Sequence, residues 1–420
     1  MNQDYTHTQA FVSGKRRVVL GMSGGVDSSV AASLLQRAGY EVLGVTCLFS
    51  DDESVQQAVE DARAVAERLG IRHVVYDARA LFEERVVRDF VDGYACGMTP
   101  SPCVGCNARV KIPALFAAAE QAMADADGGA NAGIADAADS TPDFFVATGH
   151  YARVARRRDR FAVARAADLS KDQSYMLSLL SQEQLARLVL PLGDIEGGKP
   201  EVRRMAHELG LPVASKSDSQ DICFIPDGNH LAFLEHRGVS AASGDIVTRD
   251  GIVVGRHDGL FRYTIGQRKG LGIGGAPEPY YVVGKDAVQN RLIVGFAHEA
   301  RIDCVRLARM NWQAASPEEL AARFAERGPL ACSVKLRYRQ HAVPCRLVPA
   351  DMEGDMGLAF VNSRGMQFKP VGVEGSIPAA TVLLDQPQTP TAPGQFAVLY
   401  DGDAVLGAGV IESVRLAEEA

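Results

Sequence analysis

The first third of the chain alternates short apolar runs with apolar stripes of helical spacing. Val18-Val19-Leu20 is a brief apolar run ending in glycines, and Ser28 to Arg37 reads as a helix after it. Val42 to Leu48 reads as the next buried strand. Across 53–69, Val55, Ala58, Val59, Ala62, Val65, Ala66 and Leu69 fall on one helical face. His73 to Asp77 gives another strand, followed by a helix with Val86, Val87, Phe90 and Val91 on its apolar side, and Phe144 to Thr148 gives one more. This alternation predicts a parallel sheet covered on both faces, with ligands at the carboxyl ends of its strands.

Between Ala117 and Thr141 the chain turns Ala-, Asp- and Gly-rich, which reads as a flexible insertion without chemistry. Helical stretches are predicted over Gln173 to Leu188 and Pro200 to Leu209. After about residue 226 short β-rich runs such as DIVTRDGIVVG and PYYVVGKDAVQNRLIVGF are broken by turn dipeptides, and the pattern persists to GQFAVLYDGDAVLGAGVIES. The expected architecture is an α/β parallel-sheet domain over 1–226, a small β-rich domain over 227–298 and a C-terminal β-barrel over 299–420.

Length agrees, since 420 residues at roughly 100–200 per domain means two to four domains. A composition 47% hydrophobic and 23% charged excludes disorder as the main state. No apolar stretch approaches the roughly 20 residues a membrane helix needs, and Met1 to Gly14 has no apolar signal core. A cytoplasmic, monomeric protein without membrane attachment is expected. Eight cysteines in a chain of this size point to catalysis or metal binding rather than a disulfide scaffold. The net charge of -8 argues against wholesale coating of nucleic acid but leaves room for a local basic groove. One basic cluster runs from Arg153 through Arg165 to Lys171, and a second holds Lys335, Arg337, Arg339 and His341. Taken alone, each reads as a solvated face.

The sharpest local signal is LGMSGGVDSSVAASLL at 20–35, a strand running through a Gly-rich turn directly into a helix. Gly24 and Gly25 allow close backbone approach to an anion. The free amides of the new helix, with Ser23, Ser28 and Ser29, are placed to donate to phosphate oxygens. The string lacks the Gly-Lys-Ser/Thr of a Walker loop and the Gly-x-Gly-x-x-Gly of a dinucleotide fold. A tight turn with a helix cap is the bland alternative. SGGVDSS resembles the signature of the PP-loop ATP pyrophosphatases, which implies cleavage of ATP between its α- and β-phosphates. Asp27 would then hold Mg²⁺ together with pyrophosphate.

Cys103 and Cys106 form a Cys-x-x-Cys in TPSPCVGCNARVK at 99–111, with Cys106 at what reads as a helix start, where a thiol pKa is lowered. Cys223 lies far downstream in SKSDSQDICFIPDG. Three readings stay open: a zinc site, which lacks a second Cys-x-x-Cys; an iron–sulfur cluster on Cys103, Cys106 and Cys223; and a redox or sulfur-relay pair with one cysteine from each segment. The other five, Cys47, Cys96, Cys304, Cys332 and Cys345, have no partner spacing and read as small buried hydrophobes.

The strings GMSGGVDSS, TPSPCVGCN, ATGHYAR, KDQSYML, DICFI, YTIGQRKGLGIGG and KLRYRQ occur in the order of the tRNA-specific 2-thiouridylase family, and the chain closely resembles it over nearly its whole length. The resemblance implies a PP-loop fold and ATP-dependent adenylylation of the wobble uridine C2 oxygen of tRNA, followed by replacement with sulfur. It implies Cys106 as nucleophile, Cys223 as persulfide carrier, and a transient disulfide between them. ATP would be held by Gly21, Met22, Ser23, Gly24, Gly25, Val26, Asp27 and Ser28, with Cys47 and Gly149 at the adenine. tRNA would meet Ser101, Pro102, Cys103, Lys171, Asp172, Gln173, Arg337 and Tyr338. The implied partners are tRNA, an upstream persulfide carrier and a reductant. Many family members carry Asp where this chain has Cys103, which leaves proton transfer there to a thiol. His150 and Tyr151 stay outside the catalytic set, and GQRKGLGIGG reads as a turn-rich linker.

Overall fold

The computed structural model describes residues 6–7, 16–126, 144–217, 222–225, 227–349 and 379–417. Its residues fall into two compact units, one of 1–86, 103–224 and 403–405, the other of 87–102, 225–402 and 406–420.

In the first unit, β1 (Arg16–Gly21) leads into α1 (Val26–Arg37), β2 (Tyr40–Leu48), α2 (Glu53–Leu69) and β3 (Arg72–Asp77). Then come α3 (Pro102–Cys106), a π-helical turn (Asn107–Lys111), α4 (Ile112–Ala126) and β4 (Phe144–Ala147). A hairpin of β5 (Ala152–Arg157) and β6 (Arg160–Arg165), the short β7 (Leu188–Val189) and α5 (Gly198–Glu208) complete it. The sheet is parallel in the order β3-β2-β1-β4-β7. Period-two alternation sorts β1 between two cores. Val18 and Leu20 join a cluster with Val30, Leu35, Val65 and Val202 from the helices of one face. On the other face, Gly21 leaves room for Leu115 of α4, whose Cδ1 a Cβ at that position would meet at 3.1 Å. Strand order reverses between β1 and β4, so the loops after these two strands open into the switch-point crevice of the sheet.

Four departures from the expected elements have a clear physical cause. First, α1 begins at Val26, two residues early, because Gly25 is extended at the cap position and turns the chain into the helix. Second, Gln173 to Leu188 is not one helix. It is a 3-10 turn (Ser174–Leu177) and a short helix (Gln182–Ala186), separated where Ser181 and Gln184 close a capping box. Third, the Ala-rich segment expected as an insertion from 117 is helical as far as Ala126 in α4, because alanine is the strongest helix former. Residues 127–141 of that insertion lie outside the described residues. Fourth, the helix carrying the Cys-x-x-Cys starts at Pro102, so Cys106 is its fifth residue and not its first.

In the second unit, β8 (Gly244–Thr248), β9 (Val253–His257), β10 (Tyr281–Asp286) and β11 (Arg291–Gly295) form a four-stranded sheet in the order β9-β8-β11-β10. Six more strands follow: β12 (Ile302–Trp312), β13 (Leu330–Lys335), β14 (Val343–Pro349), β15 (Ala379–Gln388), β16 (Phe396–Asp401) and β17 (Ala404–Leu416). They run β17-β12-β15-β14-β13-β16, and a β16–β17 pairing closes them into a barrel. Closure removes sheet edges, and Val334, Leu347, Val382, Leu406 and Ile411 on its strands are fully buried. A helix the β-rich pattern did not suggest, Pro317–Arg327, is fixed by a capping box of Ser316 and Glu319 with Pro317 at its first turn.

Candidate active site

The loop between β1 and α1 is shaped by its glycines. Gly24 has φ +64°, and a Cβ there would lie 2.3 Å from the Ala58 carbonyl oxygen. Gly149, after β4, sits against the first turn of α1, where a Cβ would lie 2.8 Å from the Ser28 nitrogen. The two loops of the switch point therefore meet through bare backbone. Ser28 Oγ accepts the Ser23 amide at 3.2 Å and lies 3.3 Å from Ser23 Oγ. Ser29 Oγ donates to the Gly25 carbonyl at 2.7 Å. The amides at the start of α1 make an anion cradle of the kind that holds phosphate.

Cations converge on that cradle. Lys199 Nζ at the start of α5 donates to both Asp27 carboxylate oxygens at 2.8 and 2.7 Å, and its side chain is only 9% exposed. Tyr151 Oη donates to the same carboxylate at 2.6 Å. Lys216 Nζ donates to the Gly24 carbonyl at 3.0 Å. Asp27 is thus engaged on both oxygens, and among the described residues no group of three His, Cys, Asp or Glu side chains is arranged to hold a metal. Mg²⁺ at this site would have to be held mainly by phosphate oxygens, with Asp27 as a single protein ligand. Sequence reasoning set Tyr151 aside and did not find Lys199 or Lys216. Nothing in the spacing of GGKPEV or SKSD ties those lysines to a loop more than 170 residues earlier.

The cysteines gather around a lysine. Cys106 is 3% exposed, whereas Cys103 and Cys223 are exposed. Phe224 packs edge-on against Phe82, with ring centroids 5.6 Å apart, and this contact anchors Cys223 in the first unit. The π-turn after Cys106 adds a residue to the helical turn, so Lys111, five positions on, comes round toward the thiol instead of passing it. The carbonyls the π-turn frees are taken by side chains, Ala108 by Gln184 Nε2 at 2.9 Å and Arg109 by Arg85 at 3.5 Å. Lys111 then acts on Cys106, Cys223, Cys103 and Cys47 together. Burial works to lower the Lys111 pKa, yet the charge the four cysteine sulfurs carry once ionised holds it above the ordinary value.

The Cys106 thiol does not have the lowered pKa expected of a helix start. Burial pushes it up to about 12, with Lys111 pulling the other way. Burial does the same to Cys47, also to about 12, and the protein packed around Cys223 raises it too, although that residue keeps a solvent-exposed face. Cys47 near the end of β2 therefore belongs electrostatically with the thiol cluster. His150 is held neutral, its pKa pushed down to about 3 by burial and by Lys111, while its Nδ1 pairs with Thr148 Oγ1 at 2.8 Å. Asn107 Nδ2 donates to the Met176 carbonyl at 3.0 Å, and its buried Oδ1 has no hydrogen-bond partner.

The residues expected at tRNA divide. Lys171 is exposed. Asp172 is 7% exposed, and its carboxylate accepts from the Ala166 and Ser174 amides, so it shapes the turn from within. Gln173 Oε1 accepts the Tyr151 amide at 2.9 Å, which couples it to the Asp27 network. In the basic hairpin, Arg153 donates to the Arg165 carbonyl at 2.6 Å and its guanidinium lies 3.9 Å from Asp194, which makes it partly structural. Ser101 and Pro102 fall in the second unit. There Arg337 borders a cavity of about 430 Å³ with Thr99, Gly266, Gln267 and Gln395. Tyr338 has Lys335 Nζ 5.9 Å from its ring centroid.

Residues 16–227 match the family described as tRNA methyl transferase HUP domain. Residues 232–296 match its PRC-barrel domain, and 369–411 an aminomethyltransferase beta-barrel domain. The tRNA-specific 2-thiouridylase MnmA of Geotalea uraniireducens is 39% identical over 419 residues, covering 95% of both chains. That of Rhizorhabdus wittichii is 40% identical over 413 residues, 96% of this chain and 93% of its own. This chain belongs to the tRNA-specific 2-thiouridylase family. The U34-tRNA thiolase NcsA of Methanococcus maripaludis, solved with its [4Fe-4S] cluster, aligns with a TM-score of only 0.31 at 16% identity. It covers 56% of this chain and 71% of that one, too slight a similarity to bear on chemistry. Within the family, the glycine-built loop, the Lys199–Asp27 pair and the Lys111 thiol cluster are the features of this 2-thiouridylase that the fold assembles.

Proposed function

We propose that this enzyme is a tRNA-uridine 2-sulfurtransferase that uses ATP to replace the C2 oxygen of the wobble uridine with sulfur. The observation that carries the reading is the convergence of Cys106 and Cys223, from distant segments, on the single charge of Lys111. Full-length similarity to curated 2-thiouridylases supports it. A carbonyl oxygen is a poor leaving group. The uridine oxygen attacks the α-phosphorus of ATP, pyrophosphate departs over the Ser23–Ser28 cradle, and the oxygen is left on AMP, which leaves readily.

Exposed Cys223 is the natural acceptor of sulfur from a carrier protein, as a persulfide. Buried Cys106 attacks the inner sulfur of that persulfide, forming a Cys106–Cys223 disulfide and releasing sulfide. Sulfide adds to the activated C2 and AMP leaves. A two-electron reductant reopens the disulfide. Cys103, exposed two residues into the cysteine helix, is the candidate for proton transfer at the base. A flipped uridine, with the basic residues Lys171 and Arg337 on backbone phosphates, suits single-nucleotide recognition. A cytoplasmic location fits a tRNA substrate and thiols that must stay reduced. Among the described residues no helix is long and apolar enough to cross a membrane.

The test supplies reduced enzyme with ATP, Mg²⁺, unmodified tRNA and either a persulfide donor or free sulfide, and reads nucleosides by mass spectrometry. Wild type is expected to make 2-thiouridine and Cys106→Ser none. Cys223→Ser is expected to fail with the persulfide donor and recover in part with sulfide. Product that appears only after iron and sulfide rebuild a chromophore would replace the relay with a cluster on Cys103, Cys106 and Cys223. Full-length similarity to curated 2-thiouridylases favours the relay over that alternative.

A further inference from the structure

The spacing of the sequence leaves Cys332 and Cys345 without partners, and the barrel gives each the other. Antiparallel β13 and β14 set Cys332 directly opposite Cys345, and the two Sγ atoms lie 3.5 Å apart. Both strands are held from outside. Ser333 and Val334 pair with Tyr400 and Leu399 of β16, and Cys345 pairs with Leu384 of β15. Directly opposed residues on antiparallel strands have Cα atoms about 4.5 or 5.5 Å apart, and both values lie within the span of a disulfide. The backbone already stands where a cross-link needs it.

The two thiols differ in access. Cys345 is 1% exposed, whereas Cys332 is part-exposed, so a small oxidant meets Cys332 first. The hydrogen bond with Cys332, and then burial, push the Cys345 thiol far up and keep its proton on. Between them runs the loop 336–342, which carries Arg337, Tyr338, Arg339 and His341. Its base is pinned by Thr391 Oγ1 donating to the Leu336 carbonyl at 3.2 Å.

We propose that Cys332 and Cys345 form a site of reversible oxidation, a cross-strand disulfide made by peroxide and reopened by dithiols, which locks the base of the basic loop 336–342. The Cys332 sulfur attacks one peroxide oxygen, the O–O bond breaks, and a sulfenic acid and one water result. The Cys345 sulfur then attacks that sulfenic sulfur, the S–S bond forms, and the hydroxyl leaves with the Cys345 proton as a second water. Two thiols lose two electrons and one peroxide gains them. A dithiol returns the electrons by exchange. The inference does not depend on the sulfur-transfer chemistry of Cys106 and Cys223.

The test treats the folded full-length protein with stoichiometric hydrogen peroxide, blocks remaining thiols with N-ethylmaleimide and maps tryptic peptides without reduction. Trypsin cuts after Lys335, Arg337 and Arg339, so the two cysteines leave on separate peptides unless bridged. A joined peptide lighter by two hydrogens than the sum of its parts is expected, and dithiothreitol should abolish it. Cys304→Ser, at a buried cysteine of the same barrel, should retain it, and Cys332→Ser should lose it. Severalfold slower hydrogen exchange of loop amides in the oxidised wild type is the second expected result. Maleimide on both cysteines, or Cys332 carried on to sulfinic acid with Cys345 unjoined, would overturn the site. A cross-link that leaves loop exchange unchanged would overturn the lock.

Discussion

One lysine, Lys111, acts electrostatically on every thiol of the cysteine cluster. With burial holding the Cys106 thiol near pKa 12, it is protonated at neutral pH, and the nucleophilic role proposed for it requires activation within the reaction cycle. Alkylation of Cys106 by iodoacetamide is therefore expected to rise about tenfold per pH unit between about pH 7 and 10 without a plateau, because only the thiolate reacts. Lys111→Met should slow it at each pH and Lys111→Arg should largely restore it. A plateau below pH 8 would contradict the burial argument. His150 gives a second titration. Its folded pKa of about 3 lies below the ordinary 6.5, so below pH 6.5 the unfolded chain takes up a proton that the folded chain refuses. That contribution to stability is present above pH 6.5 and is lost as pH falls toward 3, at up to about 1.4 kcal/mol per unit. Thermal melts at pH 7 and pH 5 should show a larger drop for wild type than for His150→Asn, and equal drops would show that His150 does not carry this dependence.

At the scale of elements, two glycines fix the nucleotide loop. Gly24→Ala combines a positive φ with a Cβ 2.3 Å from backbone oxygen, and Gly149→Ala drives a Cβ into the first turn of α1. Both are expected to abolish tRNA-dependent pyrophosphate release. Gly39→Ala also has positive φ but meets nothing within 4 Å, so it should cost about 1 kcal/mol of stability and leave turnover intact. Loss in Gly39→Ala equal to that in Gly24→Ala would mean that backbone strain, not the close approach, matters. Lys199→Met should weaken ATP binding by about tenfold or more, because it strips the partly buried Asp27 of its countercharge, and unchanged affinity would remove Lys199 from the site. The parallel sheet, the loop and the three cysteines were legible because each depends on local periodicity or on a contiguous string. Lys199, Lys216 and the Cys332–Cys345 pair were not, because only the folded chain sets them beside their partners. The raised Cys106 pKa was misread for a related reason. Its sign depends on burial by segments that local spacing does not register, and on a helix that begins one turn before the position assumed.

For the molecule as a whole, the boundary near residue 226 suggested by the change of texture is not the only place where the chain passes between compact units. Residues 87–102, which lead into the cysteine helix, belong to the second compact unit. Phe90 packs against Phe233 with ring centroids 6.3 Å apart, and Tyr94 lies 5.9 Å from the His230 ring. Thr99 donates its amide to the Pro393 carbonyl at 2.9 Å, and its own carbonyl accepts Gln395 Nε2 at 2.6 Å. A fragment ending at residue 226 would retain the whole nucleotide loop and all three site cysteines, yet it would strip Phe90 and Tyr94 of their cover and the Thr99 backbone of both partners. Exposed aromatic surface of that kind drives association. The fragment is therefore expected to bind a hydrophobic dye, to aggregate on concentration and to make no 2-thiouridine. Phe233→Ala in the full chain should reproduce part of that instability, with a loss of roughly 3 kcal/mol or less because Phe233 is not fully buried. A soluble, dye-negative fragment with intact tRNA-dependent pyrophosphate release would show instead that the segment before the cysteines folds without the β domains. In that case the polypeptide would be modular at the boundary its composition suggests.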